Sequence, residues 1–137
     1  STIYDNSLDV MGWEIVESGF SVIFSRDIPR IVKENVKANI TQILNKHELK
    51  IEDITHYITH PGGMKVISAY EESLGLKIGT LMLPRKILNE HGNMSSASVI
   101  YVLDEFLRSG NFKTGEYGLI SSLGPGFSSE LILFKIS

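Results

Sequence analysis

From Ile28 to Leu44 the apolar residues Ile28, Ile31, Val32, Val36, Ile40, Ile43 and Leu44 recur at helical spacing, and no other stretch constrains the fold as much. The stripe predicts a helix with one face in the core. Asp27 is placed to cap it, and Pro29 suits a first turn whose amide hydrogens have no helical partner to lose. A helix with one apolar face needs a surface to cover it. The following segment offers one. Ile54 to Thr59 (Ile-Thr-His-Tyr-Ile-Thr) reads as a strand, ended by the proline of His60-Pro61-Gly62-Gly63.

The remaining elements follow by the same rules. Trp13 to Val16 and Phe20 to Phe24 are short apolar runs around Glu17-Ser18-Gly19, which suits a hairpin. Residues 1–12 carry little periodic pattern and are expected to be an irregular entry segment of a longer chain. Helices are expected from Met64 to Leu74, from Arg85 to Glu90 closed by Gly92, and from a cap at Ser95 or Ser96 up to Gly110. Two strands, Gly118 to Ser122 and Glu130 to Ile136, flank a tight turn at Leu123-Gly124-Pro125-Gly126. The apolar density of Leu131 to Phe134 suggests a strand buried on both faces. Strands alternating with helices in this order indicate an α/β protein, with helices packed on a mixed sheet in one domain.

Composition removes several classes of function. At 137 residues, 42% hydrophobic and 21% charged, the chain can bury a real core and is not a disordered tail. The net charge is −3, and Lys33, Lys37, Lys46 and Lys50 are interspersed with acids, so no nucleic-acid footprint is expected. No long uncharged apolar run predicts a membrane span, and the start lacks the pattern of a signal peptide. A cytoplasmic location is the default expectation. There is no cysteine, which excludes disulfides, thiolate metal sites and a cysteine nucleophile within these residues.

Of the four histidines, His47, His56 and His91 have no neighbours at metal-ligand spacing, so no metal site is expected. His60 differs in its setting. It stands where an apolar strand runs into Pro-Gly-Gly, and loops at strand ends are where α/β folds place catalytic groups. The residues alone favour a core or surface histidine before a turn. Asn93, in His91-Gly92-Asn93-Met94-Ser95-Ser96, poses the same choice between a functional amide and a loop with a helix cap. Gly124-Pro125-Gly126 is well explained as a hairpin turn and lacks the lysine of a phosphate-binding loop.

Taken together and in order, these segments resemble the type III (chalcone-synthase-like) polyketide synthases of the thiolase superfamily. His60 to Gly63 matches the family's His-Pro-Gly-Gly, and Gly92 to Ser96 matches its Gly-Asn-Met-Ser-Ser, followed by a helix like Ala97 to Arg108. Ser122 to Gly126 corresponds to a Gly-Phe-Gly-Pro-Gly loop, with Ser122 and Leu123 departing from the family's Gly and Phe. Asp9-Val-Met-Gly-Trp and Ser25-Arg-Asp-Ile-Pro resemble bacterial members upstream. The fold so implied is the C-terminal half of a thiolase-like α/β protein. The family's nucleophilic cysteine lies in its N-terminal half, so the resemblance implies that residues 1–137 are a C-terminal domain without that half.

The resemblance also implies roles. His60 would pair with the cysteine of the other half, and His60 with Asn93 would donate to the thioester oxygen of malonyl-CoA as it loses carbon dioxide. Ser95, Gly124, Pro125, Gly126, Met11 and Gly12 would line the substrate cavity, with Val22 nearby. The substrates implied are acyl-CoA and malonyl-CoA, with no cofactor or metal, because the thioester carbonyl itself accepts the electrons of decarboxylation. Partners implied are the chain's own N-terminal half and a second copy, since family members are homodimers; neither nucleic acid nor membrane is expected. The initiating ketoacyl-ACP synthases share the fold and a Gly-Asn-(Thr/Met)-Ser segment, but their histidine is followed by Gln-Ala-Asn rather than Pro-Gly-Gly. A non-catalytic, stand-alone binding module of the same half-fold is the alternative of a different class.

Overall fold

The computed structural model describes residues 2–3, 10–124 and 128–137, with the side chains of Val22 and Phe24 outside that description. In chain order the strands are β1 (Thr2–Ile3), β2 (Met11–Val16), β3 (Gly19–Phe24), β4 (Ile54–Thr59), β5 (Tyr117–Gly124) and β6 (Ser128–Lys135). The helices are α1 (Ile28–Asn45), α2 (Met64–Leu74), α3 (Met82–His91) and α4 (Ala97–Ser109), with a 3-10 turn at Ile51–Asp53. One sheet has the order β1-β6-β5-β4, and β2 pairs with β3 in a separate ribbon. β4 and β5 are parallel, whereas β5 and β6 are antiparallel, so the sheet is mixed as expected.

The alternation of side chains along the strands divides the core in two. On one face Tyr57, Leu119 and Leu123 meet the helical stripes of α1 and α2, including Val32, Val36, Ile40, Leu44, Ile67 and Tyr70. On the other, Ile58, Ile120 and Phe134 meet Ile87 of α3 and Val102 and Phe106 of α4. Burying an aliphatic side chain contributes roughly 1.5–3 kcal/mol. Five such residues on α1 (Ile28, Val32, Val36, Ile40 and Leu44) therefore outweigh its missing cap, a feature of about 1 kcal/mol. Asp27 occupies the cap position but makes no capping hydrogen bond. Its carboxylate accepts from Ser25 Oγ at 3.4 Å and lies 3.8 Å from Arg30.

Other expectations also need correction. Thr2 and Ile3 are not irregular: they pair with Ser129 and Ser128 at the sheet edge. The helix expected from Arg85 begins at Met82, because the Leu81 amide at its start is held by Glu71 of α2 at 3.3 Å, a partner ten residues away. Ser96 stands at the cap position of α4 without bonding there. Instead Ser98 Oγ, from inside the helix, accepts the Met94 N–H at 2.9 Å. β6 is not buried on both faces, for Ile132 is 58% exposed on it. Among the described residues, no helix is long and apolar enough to cross a membrane.

Candidate active site

β4 delivers His60. Flanked by β5, the strand holds one last rung, in which the His60 amide donates to Ser121 O at 2.9 Å, and then the chain turns. The Gly62 N–H donates back to His60 O at 3.0 Å, folding the turn over the histidine. Gly63 then adopts φ 149°, ψ 161°, a conformation essentially closed to residues with a β-carbon, and its carbonyl accepts from both Val66 and Ile67 to start α2. The Pro-Gly-Gly sequence thus stops the strand and launches the helix within three residues.

His60 is buried at 5% exposure, and its Nδ1 has no hydrogen-bond partner among the described residues. Burial pulls its pKa below the ordinary histidine value, because the charged ring loses water without gaining a counter-charge. Its ring faces a pocket of about 260 Å³ walled by Met11, Ser25, Ile28, Met64, Val66 and Leu123, with Gly62, Gly63 and Lys65 completing it. Thr59 Oγ1 and Ser121 Oγ, register partners on neighbouring strands, are also buried without a partner among the described residues.

Asn93 reaches the same turn from the opposite direction. α3 ends at Gly92, whose φ of 72° and ψ of −168° redirect the chain. The Asn93 side chain then donates from Nδ2 to Gly62 O at 3.3 Å, while its Oδ1 accepts the Ser95 N–H at 2.9 Å. That second bond holds Ser95 at φ 58°, an uncommon backbone state for a serine. It also orients the amide, since the oxygen is engaged and the nitrogen must point toward the histidine turn. Nδ2 carries two hydrogens and uses one, leaving one donor free among the described residues.

The structure therefore brings His60 and Met11 to one pocket and Asn93 to the turn beside it, bonded to the lining residue Gly62 though not itself a wall. Gly12 and Ser95 are not among the pocket walls; a β-carbon added at Gly12 would meet nothing within 4 Å, and Ser95 serves Asn93 through its backbone. Gly124 ends β5 beside the pocket residue Leu123, whereas Pro125 and Gly126 lie outside the described residues. Sequence reasoning missed Ser25, Met64, Lys65 and Leu123 as pocket walls and assigned Ile28 to the core. It does lie in the core at 5% exposure, but one edge closes the pocket. Met64 and Lys65 follow His60-Pro61-Gly62-Gly63 directly, and that adjacency was the available signal.

No group of three or more His, Cys, Asp or Glu is placed to hold a metal among the described residues. Away from the pocket on β4, His56 Nε2 lies 2.7 Å from Glu116 Oε2. The His56 bond first, and the Lys113 N–H second, hold the Glu116 carboxyl below its ordinary range. This pair ties β4 to the start of β5 and lies four residues back from His60.

Helices on both faces of a mixed sheet, with a buried histidine and an oriented amide converging where β4 ends, define a thiolase-like half-domain. The family model of the chalcone and stilbene synthases, C-terminal domain, matches residues 1–137, and the chain belongs to that family. It is 52% identical over 135 residues to a Bacillus subtilis (strain 168) protein provisionally named chalcone synthase, covering 98% of this chain and 37% of that one. It is 35% identical over 133 residues to the 1,3,6,8-tetrahydroxynaphthalene synthase of Streptomyces peucetius subsp. caesius, covering 97% of this chain and 35% of that one. In structure it resembles the polyketide synthase PKS-I of the brown alga Ectocarpus siliculosus, with a TM-score of 0.88 and 27% identity over 97% of this chain and 37% of that one. The chain thus spans little more than a third of the length of these relatives.

Proposed function

We propose that residues 1–137 are the C-terminal domain of a type III polyketide synthase that condenses acyl-CoA starters with malonyl-CoA, its nucleophilic cysteine lying in the N-terminal half. The observation that carries this reading is the meeting of His60 and Asn93 at one turn, with the Asn93 amide bonded to Gly62 O at 3.3 Å beside the pocket.

Burial keeps the His60 imidazole neutral unless a counter-charge arrives. A cysteine thiolate from the other half supplies that charge, and the resulting ion pair lowers the thiol pKa in return. The cysteine sulfur attacks the starter thioester and releases coenzyme A. Malonyl-CoA then loses carbon dioxide: the carbon–carbon bond breaks, and its electron pair moves into the thioester carbonyl. The growing charge on that oxygen is met by donors from His60 and Asn93, each contributing about 3–4 kcal/mol where the geometry is held fixed. The enolate carbon attacks the acyl-enzyme carbonyl and returns the cysteine as thiolate. Lys65, exposed on the pocket wall at the start of α2, marks the side open to charged groups. The working form is a homodimer of full-length chains, with neither metal nor cofactor, in the cytoplasm.

The test is malonyl-CoA decarboxylation by the full-length enzyme. His60→Ala and Asn93→Ala each lower it by about 10²- to 10³-fold, and residues 1–137 alone condense nothing. Undiminished decarboxylation in both variants, or turnover by the isolated domain, refutes the assignment.

A further inference from the structure

Glu71 is the one acidic side chain buried among the described residues, at 4% exposure, and it lies outside the pocket. A buried carboxylate is costly unless it is paired and hydrogen-bonded. Here it is both. Oε1 accepts the amides of Gly79 at 3.2 Å and Leu81 at 3.3 Å, and Oε2 accepts from Arg85 Nη2 at 2.6 Å. The same Arg85 nitrogen is 3.5 Å from Ser68 Oγ, and Nη1 is 3.9 Å from the sulfur of Met64, a pocket wall. Every donor to Glu71 thus comes from the segment that leads from α2 into α3 or from the first turns of α3.

α3 is consequently fastened to α2 at two points. Near its start, Leu81 and Arg85 hold Glu71, in the third turn of α2. Beyond its end, Asn93 holds Gly62, just before the first turn of α2. The helix runs back along α2 from one fastening to the other. Within α3 only Pro84 and Ile87 are fully buried; Ile87 and Leu83 pack in the cluster shared with α4, and Leu88 with the preceding Leu81 packs in the cluster shared with α1 and α2. Apolar contact is non-directional and leaves the axial position of a helix loosely specified. A directional guanidinium–carboxylate contact with two further amide bonds specifies it well.

We infer that Glu71 and Arg85 are positioning residues for Asn93: their contact fixes where α3 lies on α2, and so where the Asn93 amide stands relative to His60. This rests on the proposed role of Asn93 and deepens it. If the contact only satisfies the amides of the 75–81 turn, its loss lowers stability and leaves the chemistry per folded molecule unchanged.

The experiment compares Arg85→Met, Arg85→Lys, Glu71→Gln and Asn93→Ala in the full-length enzyme, by steady-state decarboxylation of malonyl-CoA per folded protein. A misplaced amide costs about 10- to 100-fold in rate. Arg85→Met is therefore expected to lower kcat by about tenfold or more with little change in KM, and Arg85→Lys to recover part of it. Added to Asn93→Ala, Arg85→Met is expected to cost nothing further, because the group through which Arg85 acts is gone. Amide exchange in segment 90–98 rises in Arg85→Met while that of β4 and β5 does not. Should Arg85→Met fail to fold, Arg85→Lys and Glu71→Gln, which keep side-chain volume, carry the same cycle. An unchanged kcat in folded Arg85 variants, or an Arg85→Met factor that persists in the Asn93→Ala background, overturns the inference while the site reading stands. Full activity in Asn93→Ala overturns both.

Discussion

The two glycines after Pro61 look equivalent in the sequence and are not equivalent in the structure. Gly63 sits at φ 149°, ψ 161° while its carbonyl receives the first two amides of α2. Holding alanine there costs up to about 3 kcal/mol of backbone strain. The smaller unfolded-state entropy of alanine returns roughly 0.5–1 kcal/mol. Gly63→Ala should therefore destabilise by about 2 kcal/mol, the difference of those two terms. Gly62 lies outside the left-handed region, and an added β-carbon would be 3.5 Å from His60 Cδ2 and Nε2 and 3.7 Å from Val66 Cγ1. Those are ordinary van der Waals distances. Gly62→Ala should leave stability within about 0.5 kcal/mol of the parent, or raise it slightly.

The same methyl group stands against the ring edge that a substrate oxygen must approach to about 2.7–3.1 Å. Gly62→Ala is thus expected to be as stable as the parent yet to lose about 10- to 100-fold in decarboxylation by the full-length enzyme. Urea unfolding reads the stabilities from the midpoints at constant m, and steady-state kinetics reads the rest. Equal destabilisation by both substitutions would show that the turn is not shaped as described. A stable and fully active Gly62→Ala protein would show that the His60 edge is not where chemistry happens.

Two further outcomes follow from packing and burial. Because the folded His60 pKa is depressed by burial, the unfolded state takes up the proton first as pH falls. Its contribution to stability is complete above about pH 6.5 and is lost below it, at no more than about 1.4 kcal/mol per pH unit, until the folded pKa is passed. His60→Gln should remove that part of the difference between urea midpoints at pH 7.5 and pH 5, and an unchanged difference would refute the sign. Gly118 faces the ring of Phe134, and an added β-carbon would lie 2.5 and 2.7 Å from Cε1 and Cε2, with Cζ nearer still. Gly118→Ala should destabilise by about 1–3 kcal/mol through overpacking, with partial recovery in Gly118→Ala/Phe134→Leu. A neutral Gly118→Ala would contradict the close approach of β5 to the β6 side chain.

Periodicity was enough for α1, α2 and β4, because each is specified by its own apolar spacing, as in Ile28, Val32, Val36, Ile40 and Leu44. It failed where the determining partner lies elsewhere in the chain. The start of α3 is set by Glu71, reached across the 75–81 turn, so nothing local to Leu81 and Met82 announces a cap. Ser96 looks like the cap of α4, yet the Ser98 and Val99 amides it would serve go to the backbone carbonyls of Ser95 and Ser96, while Ser98 Oγ accepts the Met94 N–H. The exposure of Ile132 on β6 is likewise set by what packs on the sheet, which an apolar run does not reveal.

The site shows the same division. His60 and Asn93 were legible as residues in suggestive settings, each with an adequate structural explanation when taken singly. What separates the explanations is the contact between their loops. A loop asparagine that merely caps α4 has no reason to send its amide to the carbonyl of Gly62, 31 residues earlier, when a serine inside the helix already serves Met94. Asn93 instead divides its two polar atoms, one fixing its own turn through Ser95 and the other facing the histidine turn. On the proposed reading, the donor that this orientation leaves over at the histidine turn serves an oxygen that becomes negative. The same reading puts the sulfur nucleophile in the N-terminal half, since these 137 residues contain no cysteine.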